Sequence, residues 1–266
     1  MSNFHVYAGA PQAIAPEIRE IGLGDLAEAL RKGIDDFRDR PSHIVFLGLI
    51  YPIVGVILAT WTSGNNALPL LFPLMSGFAL LGPFAAIGLY EISRRRELGM
   101  NTSWRHAFDV RHSPAVPAIA VIGILLFAVF ITWLFVAKAI YEWQFGESVP
   151  LDIGTFLSEM LGTGRGWTVI VLGNLVGFLF ALLVLCTTVI AFPLLLDRDV
   201  GAYEAIRTSA RAVALNPVPM AAWGLIVAIA LAIGSIPLFA GLAVVVPVLG
   251  HATWHLYRKV VVQADR

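Results

Sequence analysis

The sequence has one cysteine, few charged residues and no recognisable leader, and each shortage excludes something. Cys186 is the only cysteine, so an intramolecular disulfide and a thiolate metal cluster are both excluded. The first forty residues lack a basic start, an apolar run and a small-residue cleavage site, so we expect no cleaved signal peptide. Only 14% of the residues are charged and 58% are hydrophobic, which excludes an ordinary water-soluble domain. The formal net charge is zero, and we expect no nucleic-acid partner.

Motifs of catalysis and nucleotide binding are also missing. The sequence contains no Walker loop, no GxSxG elbow and no dinucleotide-binding glycine pattern between a strand and a helix. Ionisable residues at membrane depth usually mark relays or substrate sites, and the apolar runs contain almost none. Counted inward from the ends of these runs, the polar residues include Ser76, Asn174, Thr187, Thr188 and Ser235. The sequence therefore predicts neither an enzyme nor a cofactor.

Long uncharged runs are what the sequence has instead. About 20 apolar residues, rising 1.5 Å each, cross a hydrocarbon core of about 30 Å. Five such runs occur, at 44–62, 68–90, 113–137, 166–196 and 212–250. The last would reach about 58 Å as one helix, so we expect two spans with a turn at 234–237, where glycine and proline favour a break. The predicted fold is all-α: a polytopic bundle of six transmembrane helices.

The distribution of Lys and Arg predicts the topology. With six spans and a cytoplasmic N-terminus, all of the 18 basic residues except Lys138 and Arg165 fall on the cytoplasmic side. We therefore expect a multi-pass protein of the bacterial cytoplasmic membrane with both termini in the cytoplasm. Its predicted parts are a cytoplasmic segment at 1–42, the membrane domain at 43–257 and a tail at 258–266.

Three connecting segments are predicted to form amphipathic helices at the cytoplasmic face. Before the first span, apolar residues recur at helical spacing, and a helix on the membrane surface would bury them: Leu23, Leu26, Leu30, Ile34 and Phe37. Between spans four and five, a similar stripe is formed by Tyr203, Ile206, Ala210 and Val213. Between spans two and three, Thr102 or Ser103 is placed to cap a short helix. Tryptophans near the predicted boundaries are typical of interfacial belts: Trp104, Trp133, Trp143, Trp167 and Trp254.

Two groups of residues are candidate contact sites. Gly173, Gly177 and Ala181 place small residues at i, i+4 and i+8 beside Asn174, a pattern that permits close packing against another helix. It is also common in membrane helices without any partner. The second group consists of arginines that favour anionic lipid headgroups or an acidic partner: Arg94, Arg95, Arg96, Arg207 and Arg211. For the cluster 94–96, the simpler interpretation is a stop signal that fixes topology.

His251 and His255 share one helical face near the end of the sixth span. Two imidazoles make an incomplete metal site, and no HExxH motif or carboxylate partner accompanies them. We therefore predict interfacial histidines beside Trp254 and Tyr257, and no metal.

Two stretches carry a family resemblance. The run FPLMSGFALLGP at 72–83, followed by GLYEISRR at 88–95, resembles an uncharacterised family of bacterial integral membrane proteins. The run ALRKGIDDF at 29–37, followed by Pro41, resembles it too. The resemblance implies six spans and no established activity. Some members are labelled as subunits of cytochrome c oxidase, but a haem-copper catalytic subunit needs histidines inside the bilayer, so only an accessory role is compatible with this chain.

The leading hypothesis is a non-catalytic protein that acts by contact, as an accessory, assembly or membrane-organising partner of a larger complex. Its expected partners are membrane lipids and another membrane protein or a second copy of itself. The alternative is a transporter or channel for a small neutral or apolar solute. A midplane cavity lined by Asn174 and Thr187 would favour transport, whereas closely packed helices with an apolar outer groove would favour a contact role.

Overall fold

The computed structural model describes residues 16–39, 68–147, 152–237 and 240–263, and these confirm an all-α fold. The only extended pairing among them is an isolated bridge between Ile18 and Val261. The helices are α1 (Leu23–Asp39), α2 (Leu71–Leu80), α3 (Gly82–Ala85), α4 (Ile87–Glu97), α5 (Val116–Phe145), α6 (Ile153–Gly162), α7 (Gly164–Thr188), α8 (Ala191–Asp197), α9 (Ala202–Leu215), α10 (Pro217–Ser235) and α11 (Leu242–Val260), with 3₁₀ helices at Leu68–Leu70 and Trp104–His112.

Three segments of the described chain are long and apolar enough to cross a membrane: Val116–Phe145, Gly164–Asp197 and Pro217–Ser235. They correspond to predicted spans three, four and five. The first predicted run, 44–62, lies outside the described residues. The second is divided among α2, α3 and α4, and the sixth, in α11, is not among the three. The count of six therefore stays a prediction.

Prolines account for the breaks within the second and fourth runs. Pro193 has no N–H to donate to the carbonyl of Val189, and its ring clashes with a carbonyl four residues earlier. Accordingly, α7 ends at Thr188 and α8 begins at Ala191. The buried N–H of Ile190 in the break donates to Ser209 Oγ of α9, at 3.2 Å. Pro83 likewise stands in the first turn of α3, just after α2 ends.

The two ends of the described chain bind each other. Arg19 N donates to Val260 O at 2.7 Å, and Val262 N donates to Glu17 O at 2.9 Å. Buried Asn216, between α9 and α10, accepts from Ile21 N at 2.8 Å and donates to Arg19 O at 3.0 Å. We call residues 16–22 the strap, because they hold the start of α1 against the end of α11.

The bundle has two ends that differ in character. At the terminal end lie the strap, α1, α4, α8, α9 and the second half of α11, which contact one another. At the distal end lie the close of α5, the helix α6 and the start of α7, where Trp143 and Trp167 are exposed. The predicted turn at 234–237 is confirmed, since α10 ends at Ser235 and α11 begins at Leu242.

The amphipathic helices form, but the faces that they bury inside the protein only partly coincide with the predicted stripes. In α1, Leu26, Ala29, Gly33 and Asp36 are buried, mainly against α11, whereas Leu23 is 58% exposed. Inside the protein, α1 therefore packs through a face with small residues, which permit closer approach, and contact of the exposed Leu23 and Ile34 with the membrane surface stays a prediction.

In α9 the inner face consists of Ala205, Thr208, Ser209 and Ala212, and Tyr203 of the predicted stripe is 78% exposed. The 3₁₀ helix Trp104–His112 begins after Ser103, as expected, although that side chain makes no capping hydrogen bond. Two of the predicted interfacial tryptophans, Trp133 and Trp254, are buried inside the protein instead.

Candidate functional site

The terminal end contains a layer of buried charges, and α4 supplies its centre. Residues 91–97 continue α4 as helix to Glu97, and their interpretation as a topological stop signal stays a prediction. Its arginines lie in the last turn, where cations are favoured by the helix dipole. Because helical residues three and four apart share a face, Glu91 meets both Arg94 and Arg95.

Glu91 is buried and accepts hydrogen bonds from both arginines. Arg94 Nε and Nη2 donate to its two oxygens at 2.7 and 3.0 Å, and Arg95 Nε donates at 2.7 Å. Arg95 also reaches Asp109 Oδ2 at 3.0 Å, which His106 Nδ1 contacts at 2.6 Å. The hydrogen bond from His106 is the main cause that lowers the pKa of Asp109. This arrangement ties α4 to the 3₁₀ helix Trp104–His112.

A second cluster, the Asp36 cluster, joins α1, α4 and α11. Asp36 Oδ2 accepts from Ser93 Oγ at 2.5 Å and contacts His255 Nε2 at 2.9 Å, while Oδ1 binds Arg96. His251 Nδ1 lies 2.7 Å from Ser93 Oγ. Burial acts to raise the pKa of Asp36, but hydrogen bonds from His255 and Ser93, with the nearby histidine charges, outweigh it and lower the pKa below 3.8.

The donor and acceptor roles within the Asp36 cluster determine whether Ser93 could act as a nucleophile. An ionised carboxylate only accepts, so the single Ser93 proton goes to Asp36, and His251 Nδ1 must donate to Ser93. A histidine that donates to a hydroxyl does not remove its proton, so Ser93 is not activated as a nucleophile. Ser93 is also only 1% exposed. The cluster therefore fixes α1 against α4 and α11.

A third cluster links α8 to α11. Tyr257 Oη donates to Asp197 Oδ2 at 2.6 Å, and Arg258 lies between Asp197, at 3.5 Å, and Glu97, at 2.5 Å. Trp254 Nε1 donates to Glu97 at 3.1 Å, so the buried indole N–H has an acceptor. The ends of α4, α8 and α11 are thereby joined through charged pairs.

An open polar cleft of about 580 Å³ lies between these clusters. It is bounded by the start of α5 at one side and the end of α8 at the other, and both ends belong to candidate spans. Its charged lining carries both signs: Glu91, Asp109, Asp197 and Asp199 with Arg94, Arg95 and Arg198. Most of these charges are already paired within the chain, and Arg198 donates to the carbonyl of Val262.

The predicted arginines are not equivalent in the structure. Arg94 and Arg95 form ion pairs with Glu91, and Arg96 forms ion pairs with Asp36 and Asp39. Arg207 is 53% exposed, with Glu204 at 3.4 Å. Arg211 is exposed, and no ion pair of Arg211 is seen within the described residues. The outer side of α9 thus retains the basic character that anionic headgroups favour.

The predicted small-residue stretch of α7 faces in more than one direction. A Cβ added at Gly177 would lie 3.1 Å from the Trp133 ring of α5, so this glycine packs inside the chain. Gly173 has open space around its Cβ position and Ala181 is exposed. Asn174 is exposed and donates to the carbonyl of Ile170 in its own helix. Packing of this stretch against another protein stays a prediction.

The histidine prediction needs a correction, because His251 is 2% exposed and belongs to the Asp36 cluster rather than to the membrane interface. In the described ranges, no group of three or more His, Cys, Asp or Glu side chains is arranged to hold a metal. Sequence reasoning missed Asp36 and Ser93. One signal was available: Asp36 lies on the same helical face as Ala29 and Gly33. Small residues on that face indicate close packing against another helix, so a carboxylate beside them is expected to be buried.

Comparison with known proteins identifies a family of integral membrane proteins. The segment 71–197 matches the model of a family described as "Predicted integral membrane protein (DUF2189)". The match confirms the resemblance to an uncharacterised membrane-protein family, and it includes the motif at 72–83 but not the run at 29–37. No curated protein and no solved structure matches the chain.

Proposed function

We propose that this integral membrane protein acts by contact, as a non-catalytic accessory, assembly or membrane-organising partner of a larger complex in the bacterial cytoplasmic membrane. The observation that carries the proposal is the outer surface of the span Gly164–Asp197. Only 6% of its most apolar stretch is buried by the rest of the described chain, and Phe178 and Leu179 are 61% and 56% exposed. A span covered so little by the described part of the chain offers most of this surface to lipid and to another membrane protein.

An apolar groove adjoins this surface near the distal end. Its volume is about 440 Å³, and it runs between the end of α5 and the first turns of α7. Trp143 and Trp167 stand at its sides, and Val171, Leu172 and Leu175 line it further along. An outer apolar groove of this kind favours contact over solute transport, and the amide of Asn174 bonds to its own helix.

The paired charges of the terminal end support the non-catalytic part of the proposal. Asp36, Glu91 and Asp197 each bind basic or hydroxyl groups of a different helical turn or helix. Their hydrogen-bonding capacity is used in holding α1, α4, α8 and α11 together. Such networks stabilise and specify a fold.

Both termini are proposed to lie in the cytoplasm. The hydrogen bonds of the strap to residues 260–262 support the view that residues 16 and 263 share one side of the membrane. An even number of complete crossings between them follows. The excess of Lys and Arg at the terminal end favours the cytoplasmic side.

Site-specific photo-crosslinking in native membranes tests the contact role. A benzophenone side chain at Leu179 of α7 should give a discrete protein adduct, identified by mass spectrometry, and Leu183→Trp should abolish it because Leu183, four residues on and 48% exposed, lies on the same face of the helix. Benzophenone at Ile124, which is 70% exposed on α5, is the matched control and should give lipid adducts.

Two results would contradict the proposal. Lipid adducts alone from Leu179 and its neighbours would leave α7 without a partner. Saturable solute uptake by proteoliposomes, lost on Asn174→Ala or Thr188→Val, would establish a transporter instead.

A further inference from the structure

Helix α6 carries an exposed apolar stripe at the distal end of the bundle. Ile153, Leu157 and Leu161 recur every fourth residue, so they lie along one side of the helix. Their exposed fractions are 54%, 47% and 58%, whereas Met160 of the same helix is buried. A contiguous row of large exposed apolar side chains marks a surface that binds a protein or a membrane.

The opposite side of α6 is polar. With 3.6 residues per turn, Ser158 lies about 100° around the helix from Leu157, and Thr155 lies roughly opposite the stripe. Both are exposed, and their hydroxyl groups donate to Thr155 O at 3.0 Å and to Asp152 Oδ2 at 2.7 Å. The helix therefore has a side packed on the protein at Met160, an outer apolar side and a polar side. Helices that lie in the plane of a membrane surface are divided in this way.

A sharp corner at Thr163 turns α6 away from the axis of the span that follows. The extended backbone of Thr163 ends the helix, and its Oγ1 donates to Glu159 O at 2.7 Å and accepts from Gly166 N at 3.0 Å. A Cβ at Gly166 would lie 2.5 Å from Met160 Cα. Residues six apart in one continuous helix would be separated by about 9 Å along its axis. Helix α6 thus lies across the first turn of α7 and does not extend it.

The level of α6 coincides with the place where α5 leaves the apolar layer. Residues 116–137 of α5 contain no charged side chain and rise about 33 Å, which matches a hydrocarbon core of about 30 Å. The first charged side chains beyond them, Lys138 and Glu142, form an ion pair. Glu159 of α6 is near enough to Tyr141 of α5 to act electrostatically on its hydroxyl group. Helix α6 therefore lies at the level of this ion pair, where acyl chains give way to headgroups.

The stripe of α6 continues the exposed apolar surface of α7. Trp167 Nε1 donates to Leu161 O at 3.1 Å, so the indole lies against the end of α6. From Trp167 the exposed surface runs along α7 through Val171 and Leu175, each one turn further. Tryptophan at such a corner is typical of the interfacial belt. Because α7 begins a candidate span, the lipid that covers its first turns also reaches the stripe of α6.

The charges of α6 indicate which part of the lipid it contacts. Residues 152–164 contain Asp152 and Glu159 but neither Lys nor Arg. Interfacial helices that bind anionic headgroups carry basic residues on their polar face, and this helix has none. Its association with a membrane surface therefore depends on the burial of apolar side chains.

We propose that α6 lies in the surface of the bilayer at the distal end, with Ile153, Leu157 and Leu161 among the acyl chains next to the headgroups and Ser158 toward water. The occupant of the stripe is the boundary layer of the distal leaflet. Because α6 is held on the first turn of α7 through Thr163, this contact sets the depth at which the span begins.

Spin labels on adjacent residues test the orientation of α6. In proteoliposomes of zwitterionic phospholipid and a Cys186→Ala background, nitroxides at Leu157→Cys and Ser158→Cys are compared, with a water-soluble nickel chelate on both sides. The ratio of collisions with oxygen to collisions with the chelate should be roughly threefold higher at Leu157→Cys, because oxygen concentrates among acyl chains. Leu161→Cys, one turn further along the stripe, should repeat the result for Leu157→Cys.

Three outcomes would overturn the proposal. Equal access of the chelate to Leu157→Cys and Ser158→Cys would place the stripe in water. Protection of Leu157→Cys from both agents would mean that a protein surface, such as a second copy of the chain, covers it. A high oxygen ratio at Leu157→Cys only in vesicles that contain anionic phospholipid would mean that headgroup charge, and not apolar burial, holds the helix.

Discussion

Asp36 carries the most connected side chain at the terminal end, and its ionisation is linked to the position of α1. The groups facing it are Ser93, Arg96, His251 and His255, so its negative charge is matched from both α4 and α11. Removing one partner of a buried, hydrogen-bonded charge leaves the others unsatisfied, at a cost of about 1–3 kcal/mol. The residue therefore acts on the fold through two helices at once.

The lowered pKa of Asp36 predicts a pH dependence with a definite sign. A carboxyl group whose pKa is depressed by folding stabilises the fold fully above its unfolded value, and that contribution is lost as the pH falls through the folded value. The stability advantage of the parent over Asp36→Asn should thus be present at pH 5 and shrink as the pH falls below 3.8. Thermal unfolding in mild detergent measures it; an advantage that grows as the pH falls below 3.8 would contradict this assignment.

Ser209 satisfies a backbone group that has lost its helical partner. Both Ser209 and Ile190 are fully buried, and the N–H of Ile190 lies in the break before Pro193. Ser209→Ala should destabilise the protein by about 1–3 kcal/mol, because the N–H would stay buried without an acceptor. Ser158→Ala is the control, since that hydroxyl is exposed and bonds only within α6. Equal melting temperatures for the two variants would show that Ile190 finds another acceptor.

At the scale of elements, the packing of α1 on α11 depends on one glycine. A Cβ at Gly33 would lie 2.7 Å from both Ala252 Cβ and Ala252 N, closer than packed atoms approach. Gly33→Ala should therefore force the helices apart and destabilise the protein by about 1–3 kcal/mol. Gly24→Ala, in the same helix with open space around the new methyl group, should be neutral or slightly stabilising. Comparable melting temperatures for the two variants would exclude the close approach.

The outer side of α9 is the element expected to contact anionic lipid. Arg207→Gln together with Arg211→Gln should lower the retention of anionic relative to zwitterionic lipid through purification, because α9 would lose both exposed cations. The melting temperature of the double variant should change no more than is usual for substitutions at the protein surface. Arg31→Gln, on the exposed face of α1, provides the comparison. Unchanged lipid retention in the double variant would remove α9 from the contact surface.

Sequence patterns predicted the elements better than their faces. The periodicity of 23–37 gave the helix α1 correctly, and Gly234 with Pro237 located the turn after α10. The stripes of α1 and α9 were judged by hydrophobicity, whereas close approach selected the small residues Gly33, Ala205 and Ala212. Helix propensity and period are local properties, and the choice of the inner face depends on the neighbour.

The charged clusters were beyond sequence reasoning for a related reason. Asp36 and His255 are separated by most of the chain, as are Lys259 and Glu28, and one sequence contains no signal that such residues meet. Composition did predict that ionisable groups avoid the spans. It could not predict that those at the terminal end pair with one another across helices.

For the whole molecule, the two ends of the chain depend on each other. A variant that ends at Tyr257 loses Lys259, Val260 and Val262, the partners of α1 and the strap. In native membranes, α1 of this variant should be cleaved by trypsin at least tenfold faster than α1 of a variant that ends at Gln263, which keeps these contacts. Equal cleavage rates would show that the remaining part of α11 holds α1 without the strap.

The strap also sets the order of events during biosynthesis. Residues 16–22 leave the ribosome long before their hydrogen-bonding partners at 260–262 are made. Until then, the Asp36 carboxylate has neither histidine of its cluster, and α1 lacks the surface of α11 against which it packs. The contacts of α1 and the strap are therefore completed only once residue 262 has been made, and a nascent chain that stalls before His251 leaves α1 undocked.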